Sequence, residues 1–182
     1  MSILSVIVYN LTILPRLKNL KRLLPEAQIY PTGSRYVCDP PVMNTDIDFG
    51  VYSTDKTIKE RIIKLGYKDT TNNEPAYHFQ NEGYEFTAFR KRSVNLILTH
   101  SKKFIDRHMV ATHICKRKNV RDKLNRVFIH EAVRGTYNTG YIENVDFSSN
   151  QELDTETREL LMKFTSPYSE ALIQVYKAQY GL

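Results

Sequence analysis

The run Asp46-Ile47-Asp48-Phe49-Gly50-Val51-Tyr52 limits the possible folds more than any other stretch of the chain. Side chains alternate across a strand, so Ile47 and Phe49 face a core while Asp46 and Asp48 share the opposite face. Aspartate is disfavoured in strands, and two on one strand call for a chemical reason. Carboxylates on one face can share a divalent ion. Eleven residues before Asp46 the chain passes through Gly33-Ser34-Arg35. A Gly-Ser turn can present backbone N–H groups to a phosphate. The bland alternative is that Asp46 merely opens a strand and Asp48 lies on an exposed edge.

Elements can be placed around this pair. Ile3–Tyr9 fits a short strand or the first turns of a helix. Pro15 then starts a helix whose stripe is Leu17, Leu20, Leu23 and Leu24, and Pro25 stops it. Ala27–Tyr30 reads as a strand. The segment Tyr36–Asn44 holds Pro40-Pro41 and reads as irregular. Thr54 or Asp55 caps a helix through Ile58, Ile62 and Leu65 that Gly66 closes. Strands follow at Ala76–Gln80, Tyr84–Phe89 and Ser93–Thr99, then helices at Lys103–Lys118, Val120–Arg134, Asp154–Lys163 and Ser169–Gln179.

At 182 residues, 41% hydrophobic and 25% charged, the chain suits one domain with a real core. The apolar run Ile3–Leu14 is broken by Ser5, Asn10 and Thr12 and is too short to span a bilayer, so no membrane partner is expected. Cys38 and Cys115 form no CxxC, which fits reduced thiols in a cytoplasmic protein. His108 and His113 are five apart, poor spacing for zinc on one helix face. Net charge is +6, and nine basic residues crowd Lys102–Arg126 against Asp106 and Asp122. Such a block suits either an anionic ligand or a solvated face. Within it, Lys116, Arg117, Lys118, Arg121, Lys123 and Arg126 can grip a phosphodiester backbone.

The order helix, strand, GS turn, strand with Asp46 and Asp48, helix, antiparallel strands resembles the nucleotidyltransferase superfamily, the DNA polymerase beta-like fold, over about Leu17–Thr99. The resemblance implies an α/β (α+β) fold: a mixed sheet with flanking helices over residues 1–100 and a C-terminal helical region over 101–182. It implies Gly33 and Ser34 at the phosphates of a nucleoside triphosphate, with Arg35 adding a charge-assisted contact. Asp46 and Asp48 would be the catalytic ligands of two Mg²⁺ ions, or of Mn²⁺ in their place. The family's third carboxylate should fall within Val94–Leu98, where this chain has Asn95. An amide offers one carbonyl oxygen but no charge and no proton acceptor. The chain either works with two carboxylates, borrows Glu82 or Glu85, or binds a nucleotide without transferring it.

The expected activity is transfer of an NMP from an NTP to a hydroxyl, with RNA or a tRNA end as the leading acceptor and a protein or small molecule as the others. In size and organisation the chain is similar to small stand-alone, phage-type transferases. The rival expectation is a degenerate nucleotide- or nucleic-acid-binding protein that inhibits or sequesters. Nothing in the sequence fixes the oligomeric state.

Overall fold

The computed structural model describes residues 2–71, 86–134, 153–164 and 167–182. The expected strand Ala76–Gln80, the start of the one at Tyr84, and Glu82 and Glu85 lie outside them. No helix among the described residues is long and apolar enough to cross a membrane.

The chain opens with helix α1 (Ile3–Val8), continued through a π turn (Tyr9–Ile13) into α2 (Leu14–Leu23). Pro15 therefore does not start the helix, as its sequence context suggests, but sits inside it. A proline ring there crowds the carbonyl four residues back and lacks an N–H. The wider turn ahead of it, with Leu14 N–H bonded to Tyr9 O, relaxes that crowding. Leu17, Leu20 and Leu24 bury one stripe of α2.

Strand β1 (Gln28–Thr32) leads directly into the short helix α3 (Gly33–Val37). Tyr36 and Val37 are thus helical, which corrects the irregular reading; the prolines act only from residue 40 onward. Strand β2 (Ile47–Tyr52) follows. Helix α4 (Ile58–Lys64) starts after Asp55, whose Oδ1 accepts from Thr57 N–H at 2.8 Å. The strands β3 (Lys68–Asp69), β4 (Phe86–Lys91) and β5 (Val94–Thr99) complete a sheet of order β1-β2-β5-β4-β3. β2 and β5 run parallel and the other neighbours antiparallel. The fold is a mixed α/β sheet with flanking helices.

Ile47, Phe49, Val51, Phe89, Leu96 and Leu98 bury one face of this sheet with α2 and α4. Helix α5 (Lys102–Arg117) packs against β1, β2 and β5. On the same face Gly50 leaves room for the Tyr30 ring, from which a Cβ there would stand 2.4 Å. Helices α6 (Lys123–Arg134), α7 (Thr155–Phe164) and α8 (Ser169–Tyr180) build a second apolar cluster with α5 around Ile129, Val133, Phe164 and Ile173. Buried Arg107 ties it together, donating to Val133 O at 2.7 Å and to Glu170 Oε2 at 3.0 Å. α6 begins at Lys123 rather than Val120. Asn119, at φ 50°, ends the preceding turn, Val120 is buried, and Asp122 Oδ1 accepts from Asn125 N–H at 2.9 Å.

Candidate functional site

Sheet register sets one transverse row of side chains. Thr32 lies opposite Asp48, Asp48 beside Asn95, and Asn95 opposite Arg90. Asp46, one residue ahead of β2, reaches the same group. Asn95 Nδ2 donates to Asp48 Oδ1 at 2.9 Å and to Asp46 Oδ2 at 3.3 Å. Arg90 Nη2 pairs with Asp46 Oδ2 at 2.9 Å. An amide that donates to both carboxylates cannot at the same time offer them a third oxygen. Asn95 stands where the resemblance puts a third acid, and here it bridges the other two.

The turn at Gly33 meets this row at close quarters. Gly33 has φ 74°, and a Cβ built on it would stand 1.9 Å from Asp48 Oδ2. Only glycine provides both the left-handed backbone and the space. Ser34 lines the cleft beside it, and its hydroxyl donates to Thr45 Oγ1 at 3.2 Å. Arg35, expected at the phosphates, is engaged elsewhere. Its Nη2 donates to the carbonyls of Met43 and Thr45, so the guanidinium ties down the loop between the turn and the acidic strand.

A cleft of about 410 Å³ joins these residues to one face of α6. Lys123, Arg126, His130 and Arg134 line it. Their spacing of three or four residues per turn keeps them on one side of the helix. Behind them Arg134 Nη2 lies 3.1 Å from His108 Nδ1, so the arginine donates and that nitrogen accepts. His108 Nε2 is then the protonated nitrogen and donates to Thr32 Oγ1 at 3.3 Å. Burial, and then the Arg134 charge, hold His108 well below the ordinary histidine range. Burial pushes Glu131 up, opposed by Arg134.

The six basic residues expected to form one nucleic-acid surface are divided. Lys123 and Arg126 line the cleft, although Arg126 Nη1 also donates to Val120 O at 3.0 Å and to Arg121 O. Lys116 Nζ lies 3.5 Å above the Tyr36 ring and Arg117 4.5 Å from that of Tyr180. Lys118 is bonded to Asp154 and Glu156, both at 2.9 Å, and Arg121 donates to Pro40 O at 2.7 Å. The block turns a corner between α5 and α6, so neighbours in sequence face different ways. The sequence weighs His108 only as a zinc ligand and does not single out His130 or Arg134, because a four-residue spacing on α6 does not say what that face meets and His108 joins it from a different helix. Cys115 is buried and its thiol is pushed up to about 12, mainly by desolvation, which keeps it out of any nucleophilic role.

Among the described residues no group of three or more His, Cys, Asp and Glu side chains forms a metal cage. Two carboxylates nevertheless suit one magnesium-sized ion, which binds through one or two acids and completes its shell with water and phosphate oxygens. The Asn95 carbonyl can join that shell once the amide turns over. A second ion would need the missing third acid. The residues fit one ion and not two.

No protein-family model and no curated protein sequence matches the chain. Among solved structures the fold is similar to the conserved protein GrpB from Enterococcus faecalis, at 11% identity and a TM-score of 0.46 over 93% of this chain and 94% of that one. It is similar to the Cid1 poly(U) polymerase at 15% identity and 0.37, over 69% of this chain and 39% of that one. A cytoplasmic RNA terminal U-transferase follows at 18% and 0.39, over 75% and 46%. The chain thus spans less than half of either transferase.

Proposed function

We propose that the cleft binds a nucleoside triphosphate with one divalent ion, Mg²⁺ or Mn²⁺, and transfers the nucleotidyl group to a hydroxyl. The observation that carries this reading is that acids, a glycine turn and cations line the same cleft. Asp46 and Asp48, the Gly33-Ser34 turn, and Lys123, Arg126 and Arg134 all line one cleft. In this reading the acids hold the ion, which when bound would offset charge on the phosphates. The Gly33-Ser34 backbone and the α6 cations hold the triphosphate in place. The acceptor hydroxyl oxygen bonds to the α-phosphorus as its proton passes to water, the bond to the α–β bridging oxygen breaks, and its electron pair leaves with pyrophosphate. With only Lys123 and Arg126 of the basic block at the cleft, an RNA acceptor would be gripped near its end rather than along a track.

A second reading is nucleotide binding without transfer. Asn95 favours it, because its amide occupies both acids and supplies no charge of its own. One experiment separates the two. The protein is incubated with each α-³²P-labelled NTP, Mg²⁺ or Mn²⁺, and total RNA and protein, beside the Asp46→Ala/Asp48→Ala variant. Label transferred by the parent alone establishes transfer. Nucleotide binding with no labelled product under either ion supports the binder, and transfer that survives the double substitution rejects the assigned acids.

A further inference from the structure

We infer that Arg90 and Asn95 form a latch that keeps divalent ions off the Asp46–Asp48 pair in the free protein. The inference rests on the proposed function only for what opens the latch, not for the latch itself. Arg90 and Asn95 are register partners across β4 and β5, so both are aimed at the acids by the sheet and not by chance side-chain placement. Asn95 Nδ2 spans the two carboxylates at 2.9 and 3.3 Å. Arg90 Nη2 contacts both oxygens of Asp46, at 2.9 and 3.3 Å, while its Nε donates to Arg92 O at 3.2 Å and fixes the plane of the guanidinium.

The consequence follows from charge. Two carboxylates carry two negative charges, and Arg90 returns one. An approaching divalent ion meets an acidic pair already half neutralised, with an N–H pointed where an oxygen ligand is needed. To bind, it must displace Arg90 and turn the Asn95 amide end over end. The Arg90 side chain is 53% exposed, and an ion pair that open contributes little to stability, so the guanidinium is free to leave when something pulls it. A triphosphate brings the pull: it delivers the ion with negative charge attached and offers Arg90 a replacement anion. The latch therefore predicts an ion that enters with its nucleotide and does not reside in the protein beforehand. Arg90 and Asn95 act here as positioning residues for the two acids.

Mn²⁺ titration of the whole chain, followed by electron paramagnetic resonance without nucleotide, tests this directly. The parent is expected to bind Mn²⁺ weakly. Arg90→Gln should bind about tenfold more tightly, because the acidic pair then keeps both of its charges for the ion. Arg90→Lys should return to the parent value, and Asn95→Asp should gain at least as much as Arg90→Gln. Because Arg90 is exposed, its variants stay folded even if a third acid destabilises Asn95→Asp. Parent binding as tight as that of Arg90→Gln would overturn the latch. The same titration with a non-hydrolysable NTP analogue tests the other reading separately. No analogue binding, with the Arg90→Gln gain intact, would bring down the proposed function and leave the latch standing. Analogue binding with no gain would do the reverse.

Discussion

On the sheet wall of the cleft, Thr32, Asp48, Asn95 and Arg90 hold their places because four strands are in register. On the α6 wall, Lys123, Arg126, His130 and Arg134 share a side because a helix repeats every three or four residues. The first wall depends on backbone pairing and on one glycine. The second depends on buried polar contacts running from Arg134 through His108 to Thr32. A site assembled this way is stiff on one side, where geometry decides, and sensitive to charge on the other.

The largest test of the contrast is Gly33→Ala. The added methyl group would overlap Asp48 and force a left-handed backbone on alanine. A stability loss of roughly 3 kcal/mol, read from chemical denaturation, is expected together with loss of nucleotide binding. A variant of parental stability would show that the sheet wall yields more readily than its register suggests.

Next is the response of the helix wall to acid. His108 is held neutral, below the ordinary value of 6.5 that it regains on unfolding. Unfolded chains therefore take up its proton first, so its contribution is complete above about pH 6.5 and is lost as pH falls below that value. His113, lowered by burial and by Arg117 and Lys116, acts with the same sign. Glu131, raised by burial, acts with the opposite sign. Comparison of Tm against pH for the parent and His108→Gln isolates the residue. The variant should lose part of the decline between pH 6.5 and 5, and parallel curves would remove His108 from the coupling of the two walls.

The smallest effects concern the divided basic block. Lys123→Ala should weaken binding of a fluorescent NTP analogue by about 1 kcal/mol, as for a partly exposed charge-assisted contact. Lys118→Ala, which breaks contacts with Asp154 and Glu156, should leave that affinity unchanged. Equal losses at both positions would restore a single basic face.

The sheet wall was legible because its signals are local. A two-residue spacing within a strand needs no partner to be read, and neither does a glycine turn. The π turn at Tyr9–Ile13 hid the first helix by breaking its period, and Pro40-Pro41 masked the helical turn that ends at Val37. The role of Asn95 was half legible: its position in the apolar strand marks it as the odd residue, but that it donates to both acids follows from pairing β2 with β5. Arg35 was read from adjacency to the turn alone, which says nothing about the carbonyls of Met43 and Thr45 that its guanidinium holds. The α6 wall needed tertiary structure throughout, since what a helix face looks at depends on every crossing before it.

The parallel pairing of β2 with β5 also bears on how the chain reaches its native state. Asp48 and Asn95 are register partners far apart in sequence, whereas Arg90 and Asn95 meet within a hairpin. Closing a long intervening segment carries an entropic cost that a hairpin avoids, and non-local contacts of this kind slow folding. The hairpin can bring Arg90 and Asn95 together by itself, yet the acids join them only when the central strands have met. Occupancy of the carboxylates by the Asn95 amide is therefore a late event on the folding route, and a spectroscopic probe at Asp48 would report global assembly rather than local order.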